Sequence, residues 1–440
     1  MNTQDSRSAR ARRDERVAAR LPVRRRRERL FRVAGIAGLA VGLGFLALIL
    51  GALIAQGRSA FTQAALDLPV TYDADVLGIP GEGASREDLE RANFDALVLA
   101  GLEDLLGVSN ETATDRRQVR RELRQLVSID AAFVARDRLL RSPGLLGSAA
   151  VIRVPAAANV DMYLKGNVLR ETEQSLRQLS DRQLDWVDSM RSAGHLDARF
   201  NSALFTNGDS REPELAGIRG AVAGSLLMLV VTVGLAFPIG LGAAIYLEEF
   251  ASRNRWTDLI EISINNLAAV PSIVFGLLGL AVFIDWLGMP RSAPLVGGFV
   301  LALLTLPVII IAARSAVRAV PASIREAALG LGASRVQVVF HHVLPLALPG
   351  VLTGTIIGVS RALGETAPLL MIGMVAFIVD VPKTLSDPAT ALPVQIYLWA
   401  ESPERAFAER TSAAILVLLA FLLALNLLAL VVRRRVERKI

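Results

Sequence analysis

The chain has 440 residues, of which 52% are hydrophobic and 20% are charged, and its net charge is +6. The absence of cysteine excludes disulfide frameworks, cysteine-bound zinc and thiol catalysis, and three histidines (His195, His341, His342) are too few and too scattered for a typical metal site. Several apolar runs are long enough to cross a bilayer, so the composition predicts a polytopic membrane protein without a metal or another cofactor.

Most of the positive charge lies at the N-terminus, where residues 1–32 hold twelve arginines and four acidic residues. This segment therefore carries a net +8, and since the whole chain carries +6, the remainder carries −2. We interpret residues 1–30 as a basic cytoplasmic tail that contacts anionic lipid headgroups and sets the topology. Nucleic-acid binding is the rival interpretation, but no aromatic residue interleaves the arginines before Phe31, so we expect no nucleic-acid partner.

Residues 31–56 form the first apolar run and predict transmembrane helix 1. A signal peptide is the alternative, but this run is longer than a typical signal core and no small-x-small cleavage site follows it closely. Its small residues (Gly35, Gly38, Gly42, Gly44) would let another helix approach closely.

Residues 57–214 form the one large hydrophilic region, long enough for a domain with its own core. Apolar residues recur at helical spacing in Arg86–Leu106, Arg116–Leu140 and Glu171–Arg191, whereas Asn159–Val168 is typical of a short strand and turn. The region contains no nucleophile constellation, metal-ligand spacing or phosphate loop. We predict a mainly helical extracytoplasmic accessory domain, because long domains cross the membrane largely regardless of their charge.

Residues 215–432 contain five further apolar runs. The predicted spans are about Leu215–Leu247, Ile260–Leu287, Leu295–Ala313, Leu348–Ile378 and Thr411–Val432. Residues 433–440 form a second basic tail, holding Arg433, Arg434, Arg435, Arg438 and Lys439. Arginine-rich flanks at both ends of the chain require an even number of spans, and six spans place both termini in the cytoplasm.

The polar loop between the fourth and fifth predicted spans, residues 314–347, contains the sequence SIREAALGLGASRVQVVFHHVLP. Two capping-box pairs predict its helix starts: Ser323 with Glu326, and Ser334 with Gln337. Gly330 and Gly332 end the first helix, because glycine adopts the left-handed conformation of a C-terminal cap, and Pro345 ends the second. A pair of short helices between two spans is suited to docking.

The residues of this loop resemble a known motif. Glu326-Ala327-Ala328, followed by Gly332 and then Leu344-Pro345, resembles the EAA loop of ABC-importer permeases. The resemblance implies that the Glu326–Pro345 loop carries a coupling helix that fits a groove on a cytoplasmic ATPase. His342 departs from it, standing where the family has an aliphatic residue. The alternative for Glu326 taken alone is a simple helix cap.

The fifth predicted span contains a charged pair, Arg361 and Glu365, followed by Thr366. Residues four apart share one helix face and can pair, and near the middle of a span each charge is costly unless it is paired or faces a polar cavity. One interpretation is a structural ion pair that fixes helix packing. The functional interpretation is that Arg361 meets an anionic substrate, Glu365 holds the guanidinium in place, and Thr366 adds a hydroxyl donor.

Three segments are similar to PstA-type permeases of bacterial phosphate importers: Gly217–Leu229, Asn265–Gly279 and Ser360–Leu370. The resemblance covers about 217–432 and implies an all-α polytopic fold, with six transmembrane helices of the ABC-importer permease type and the insertion between helices 1 and 2. It implies phosphate import across the bacterial inner membrane, with residues 57–214 in the periplasm. The partners it implies are a PstC-type permease, a PstB-type ATPase dimer and a PstS-type phosphate-binding protein. It gives Arg361 and Glu365 a role in the substrate path.

No G-x-x-x-x-G-K-[ST] motif occurs in the sequence, so we expect another chain to hydrolyse ATP and this chain to be a non-catalytic transport subunit. Two alternatives stay open at this point. One is a permease for another oxyanion, such as sulfate or molybdate. The other is a membrane sensor with residues 57–214 as an outer ligand domain, although such a sensor needs a cytoplasmic output domain.

Overall fold

The structure, a computed structural model, describes residues 3–80, 85–108, 113–174 and 177–437. Its first element, α1 (Thr3–Gly57), is one long helix that contains the predicted first span. The side chains of the basic tail up to residue 25 lie outside those described. From residue 26 to residue 50 the side chains of α1 are exposed, and among the described residues no atom apart from the helix's own nearby backbone lies within 4 Å of where a Cβ would stand on Gly35 or Gly38.

The accessory domain consists of helices packed on a small sheet. Its strands are β1 (Thr62–Thr71), β2 (Ala149–Pro155) and β3 (Leu196–Phe200). Its helices are α2 (Ala74–Leu77), α3 (Arg86–Arg91), α4 (Phe94–Leu106), α5 (Ala113–Arg124), α6 (Asp130–Arg141), α7 (Ala158–Leu164), α8 (Asp181–Ser192) and α9 (Ala203–Thr206). A short 3₁₀ helix, Arg58–Phe61, joins α1 to β1.

The sheet is antiparallel with β1 in the centre, in the order β2–β1–β3. Leu66, Leu68 and Val70 alternate along β1 and lie in the domain core, as expected for a strand with one buried face. Pro69 lies beyond the part of β1 that pairs with β3, so its missing N–H group interrupts no ladder on that side. The sequence prediction of a mainly helical domain did not include this sheet.

The predicted strand at Asn159–Val168 is wrong, because its first part is the helix α7. Val160 and Met162 are both buried there, which mimics strand alternation. Asp161 accepts a hydrogen bond from the backbone N–H of Ala64 in β1 at 2.8 Å, so contact with the sheet supports the helical turn. Tertiary packing overrides the local pattern here.

The three regions of the domain that were predicted to be helical do contain helices, but these begin and end at other residues than predicted. Arg86–Leu106 is divided into α3 and α4 at Asn93, whose side chain accepts a hydrogen bond from Ala96 N and caps α4. Arg116–Leu140 is divided into α5 and α6. In Glu171–Arg191 the regular helix begins only after Ser180, which forms a capping box with Gln183.

The membrane portion contains α10 (Arg219–Ile245), α11 (Arg255–Ala268), α12 (Ser272–Leu278), α13 (Pro294–Arg318), α14 (Ala322–Gly330), α15 (Arg335–Gln337), α16 (Leu344–Gly364), α17 (Ala367–Met371), α18 (Leu392–Ala400) and α19 (Phe407–Glu437). Among the described residues, five helices are long and apolar enough to cross a membrane. They are Arg26–Phe61, Arg219–Phe250, Pro294–Arg318, Arg335–Gly364 and Phe407–Arg435. A sixth span is present if the bent pair Arg255–Ala268 and Ser272–Trp286 counts as one.

That bent pair occupies the third predicted span, which is therefore not a straight helix. Its two halves meet at an angle of 104°. Pro271 stands between them and disfavours helical conformation at the preceding residue, so the chain turns there.

The fifth span differs from the prediction at both ends. It runs from Arg335 to Gly364 instead of Leu348–Ile378, and Pro345 does not end the second helix of the loop. A π-helical stretch, Val338–Val343, precedes Pro345, and its wider hydrogen-bonding pattern accommodates a residue that cannot donate. The second loop helix is therefore the first part of the span.

Glycines allow the central spans to pack closely. A Cβ on Gly354 of α16 would lie 2.1 Å from the Cβ of Ala312 in α13, and a Cβ on Gly240 of α10 would lie 2.8 Å from Ile309. Helix backbones can approach this closely only where one side chain is missing. The span α16 is thereby held against α13, and α13 against α10.

We expect Gly354→Ala to destabilise the protein by about 1–3 kcal/mol, because the added methyl group forces α13 and α16 apart. Gly234→Ala in α10 is the matched control, since nothing lies within 4 Å of its Cβ position. Thermal unfolding in detergent measures both variants. Equal unfolding temperatures would show that the close approach is not a packing constraint.

Candidate functional site

In the loop between the fourth and fifth predicted spans, the short helix α14 is joined by a glycine turn to α15, with which the fifth span begins. The predicted capping box of Ser323 and Glu326 is wrong, because α14 begins directly after Pro321, two residues before the start that a cap at Ser323 implies, and has no side-chain cap. Ser334 and Gln337 do form the predicted box: Gln337 N donates to Ser334 Oγ at 3.3 Å, and Ser334 N donates to Gln337 Oε1 at 2.8 Å.

The turn between the two helices depends on Gly332, which has φ +89°. Its N–H donates to Leu329 O at 2.9 Å, and Ala333 N donates to Ala328 O at 3.1 Å, so the last carbonyls of α14 are satisfied. The predicted left-handed glycine cap is confirmed at Gly332, whereas Gly330 is the last helical residue and does not adopt that conformation. A side chain at this φ would be strained.

The motif residues divide into buried and exposed ones. Ala328 is buried among Val317, Val338 and Val343, whereas Glu326 and Ala327 are exposed. Leu344 and Pro345 are half-buried at the start of α16. The motif thus offers one face to the protein and one to solvent.

The exposed face of the loop is apolar around the motif. Its large apolar side chains are Leu329 (47% exposed), Leu331 (90%), Val336 (54%) and Phe340 (52%). We call these four residues with Glu326 the loop patch. The sequence analysis missed its apolar members, although apolar residues in an otherwise polar loop are a signal for a contact surface.

Ion pairs hold the loop root, by which we mean the end of α13 with Arg314 and Arg318 and the start of α14 with Arg325. Arg325 Nη2 lies 2.7 Å from Glu249 Oε1, and the same guanidinium donates to the carbonyls of Val317 and Val320 at 2.9 and 2.6 Å. Arg325 therefore fastens α14 both to the end of α10 and to the end of α13. In the sequence this arginine indicated only a cytoplasmic location.

A second cluster lies beside it, at the end of α13. Glu248 Oε1 lies 2.7 Å from Arg314 Nε and 2.8 Å from Arg318 Nη2, and Arg314 Nη2 lies 3.0 Å from Glu261 of α11. Glu248 and Arg314 are largely buried. A buried charge is tolerated when an opposite charge pairs with it. Because the paired residues come from different helices, this cluster joins the end of α10 to α11 and α13.

The second part of the site is the end of α16. Arg361 Nε lies 3.3 Å from Glu365 Oε1, so the two predicted residues are brought together. The predicted position near the middle of a span is wrong, because α16 ends at Gly364 and Arg361 lies in its last turn. A cation there interacts favourably with the helix dipole.

The Arg361 guanidinium retains free donors. Its side chain is 53% exposed, and Glu365, 19% exposed, is its partner among the described residues. Nη1 and Nη2 are therefore available to an anion, while Nε is held. Thr366 is half-buried and accepts backbone hydrogen bonds from Leu369 and Leu370 through its carbonyl.

The last span adds a residue that the sequence analysis missed. Ser360 Oγ donates to Asn426 Oδ1 at 2.7 Å, which joins α16 to α19 beside Arg361. Asn426 is the single polar residue between Ala413 and Val432. A lone polar residue in an apolar span is costly and is the signal that would have found it.

Two family models match the chain. The model described as "Binding-protein-dependent transport system inner membrane component" matches residues 219–440, which contain the loop, Arg361, Glu365 and Asn426. The model described as "Domain of unknown function (DUF3333)" matches residues 18–174.

Curated relatives match about half of the chain. The chain is 34% identical over 217 residues to "Phosphate transport system permease protein PstA 1" of Mycobacterium tuberculosis, covering 49% of this chain and 70% of the relative. It is 33% identical over 233 residues to PstA of Yersinia pestis, covering 52% of this chain and 77% of the relative. A solved structure of the MetNI methionine ABC transporter aligns with TM-score 0.41 and 19% identity, over 50% of this chain and 95% of that chain.

Proposed function

The chain belongs to the family of binding-protein-dependent transport system inner membrane components, as a PstA-type permease, and we propose that it forms part of the path of an ATP-driven phosphate importer. The observation that carries the proposal is the half-exposed Arg361, held through Nε by Glu365 with its other donors free. The names of its relatives, phosphate permeases, supply the substrate.

Arg361 is the residue that we propose to meet the substrate. A guanidinium presents two parallel N–H groups that match the oxygens of phosphate. Because Glu365 compensates its charge and engages Nε, the anion is bound weakly enough to leave again, which a transport path requires. Thr366, Ser360 and Asn426 supply neutral polar groups beside it.

Coupling to the ATPase follows from the continuity of the fifth span. We propose that the loop patch, with Ala327 and Gly332, docks on a separate PstB-type ATPase, and that Ala328, Leu344 and Pro345 transmit its movement. Arg335 and Arg361 lie 26 residues apart in one helix, a rise of about 39 Å at about 1.5 Å per residue. Displacement of the loop therefore moves Arg361 directly, as alternating access needs.

The remaining partners and the orientation complete the proposal. A PstC-type permease forms the other half of the path, and a PstS-type protein delivers phosphate from the periplasm. Both termini lie in the cytoplasm and the accessory domain in the periplasm. The arginines of the loop root and Arg433–Arg435 support this orientation, since basic flanks favour the cytoplasmic side. Arg438 and Lys439 lie outside the described residues.

Arg361→Ala is expected to lower labelled phosphate uptake by at least about tenfold, because it removes charge-assisted hydrogen bonds to the anion. Uptake is measured in cells that carry the chain with its partner subunits. Arg291→Ala, which removes an exposed arginine of the membrane portion, is the matched control.

Two results of the uptake experiment would contradict parts of the proposal. If an assembled importer with Arg361→Ala took up phosphate at the normal rate, Arg361 would not be part of the substrate path. Competition by excess sulfate would show that the substrate is another oxyanion, and the proposal of an ATP-driven importer would still stand.

Leu331→Asp and Glu326→Ala are expected to reduce both uptake and the amount of ATPase that co-purifies with the permease. The first variant puts a charge at the centre of the apolar patch, and the second removes its carboxylate. Arg253→Ala, at an exposed position of the neighbouring loop, is the control. Full co-purification and uptake by both variants would place the ATPase contact elsewhere.

The absence of cysteine makes the orientation directly testable. Arg86→Cys in the accessory domain is expected to react with a membrane-impermeant maleimide in intact spheroplasts. Leu331→Cys in the loop patch is expected to react only after permeabilisation. Both positions are highly exposed, so access depends on the side of the membrane. The reverse labelling pattern would overturn the proposed topology.

A further inference from the structure

The accessory domain is fastened to the beginning of the last span by charged groups. Lys165, which follows α7, lies 3.0 Å from Glu409 Oε2 of α19 and 2.6 Å from Asp161 Oδ2. Asn167 donates a hydrogen bond to Glu409 Oε1. The side chains of Lys165 and Glu409 are largely buried. A buried charge is costly unless it is paired with an opposite charge. The domain and the start of α19 therefore form a fixed junction.

A cavity of about 160 Å³ lies beside this junction. A single water needs about 10–15 Å³ on this measure, so the cavity has room for a small polyatomic ion. Its walls come from α7, from the segment between α7 and α8, and from residues 404–406, directly before α19. The polar side chains among them are Asn159, Asn167, Thr172, Arg177, Gln178, Glu404 and Arg405.

Arg177 is the unusual member of this wall. Its side chain is 3% exposed, and it forms an ion pair with Asp181 through Nη2. Nε and Nη1 are buried and have no hydrogen-bond acceptor among the described residues. Buried donors are satisfied in the great majority of cases, and an exception often marks a missing water or ion. Arg177 thus points to a ligand that supplies an acceptor.

The other walls suit an anion. The side chains of Asn159, Thr172 and Gln178 make no hydrogen bond within the described part of the chain, and each can donate one. Arg405, from the segment before α19, adds a second guanidinium to the wall. Glu404 opposes an anion when ionised, but partial desolvation and the neighbouring Glu212 raise the pKa of its carboxyl group.

We propose that this cavity binds a small oxyanion of the phosphate type, with Arg177 and Arg405 as its cationic ligands and Thr172 and Gln178 as neutral donors. Guanidinium groups and hydroxyl or amide donors are the usual ligands of such anions. The site is distinct from Arg361 and does not depend on which substrate the importer carries. Since its walls come from the accessory domain and from the segment before α19, a bound anion ties the two together.

The test is equilibrium binding of labelled inorganic phosphate to the full-length protein in phosphatidylcholine nanodiscs. Arg361→Ala is present in every sample, so that the proposed path site does not contribute. We expect one saturable phosphate per chain. Arg177→Gln and Arg405→Gln should each weaken binding at least about tenfold through loss of charge-assisted hydrogen bonds, and Glu404→Gln should strengthen it.

Arg86→Gln is the matched control, because Arg86 belongs to the same domain and also pairs with a carboxylate four residues later, but is exposed. It should leave phosphate binding unchanged. Arg405 and Glu404 are exposed, so their opposite effects test the site even if Arg177→Gln fails to fold. Absence of saturable binding, or binding that Arg405→Gln and Glu404→Gln leave unchanged, overturns the proposal.

The same measurement identifies the source of the anion. Nanodiscs that contain phosphatidylglycerol present a phosphate headgroup as a competitor. Weaker apparent binding of inorganic phosphate there identifies the headgroup as a ligand, whereas unchanged binding identifies free phosphate. Phosphate uptake by the assembled importer is scored separately, so failure of this site is distinguishable from failure of the proposed transport function.

Discussion

The fifth span passes through Pro345 without breaking, and the proposed mechanism depends on that continuity. A proline inside a regular α-helix removes one hydrogen bond and clashes with the preceding turn. The π-helical stretch Val338–Val343 widens the turn directly before the proline. Because the helix continues from Arg335 to Gly364, Val336 and Phe340 of the loop patch at one end and Arg361 at the other belong to one helix.

Paired charges fix the places where that element meets its surroundings. Arg325 on Glu249, and Arg314 and Arg318 on Glu248, hold the loop root to the end of α10. Removing one partner of a buried pair leaves an uncompensated charge, so such pairs resist separation. The Arg361–Glu365 pair is more exposed, with one guanidinium nitrogen engaged and the others available. The buried pairs at the loop root are suited to holding helices together, whereas the exposed Arg361–Glu365 pair is suited to transient binding of an anion.

Local signals in the sequence predicted the elements that depend on neighbouring residues alone. Ser334 and Gln337 form their capping box because both partners lie within one turn, and Arg361 meets Glu365 because a helix places residues four apart on one face. The same kind of signal failed at Ser323, because the helix starts two residues earlier, directly after Pro321. It also failed at Asn159–Val168, where contact with β1 favours a helix.

The sequence by itself determined that the chain is a polytopic membrane protein, where most of its spans lie, and which loop and charged pair deserve a functional interpretation. Hydropathy and charge act over a few turns, so they are visible in a linear pattern. Only the tertiary structure decided that the third span bends, that β1 lies between two distant strands, and that Asn426 meets Ser360. Pro271 marks locally where the third span can break, but the size of the bend is not written in that residue alone. The pairing of β1 and the contact of Asn426 join residues tens to more than a hundred positions apart, and no local pattern contains that information.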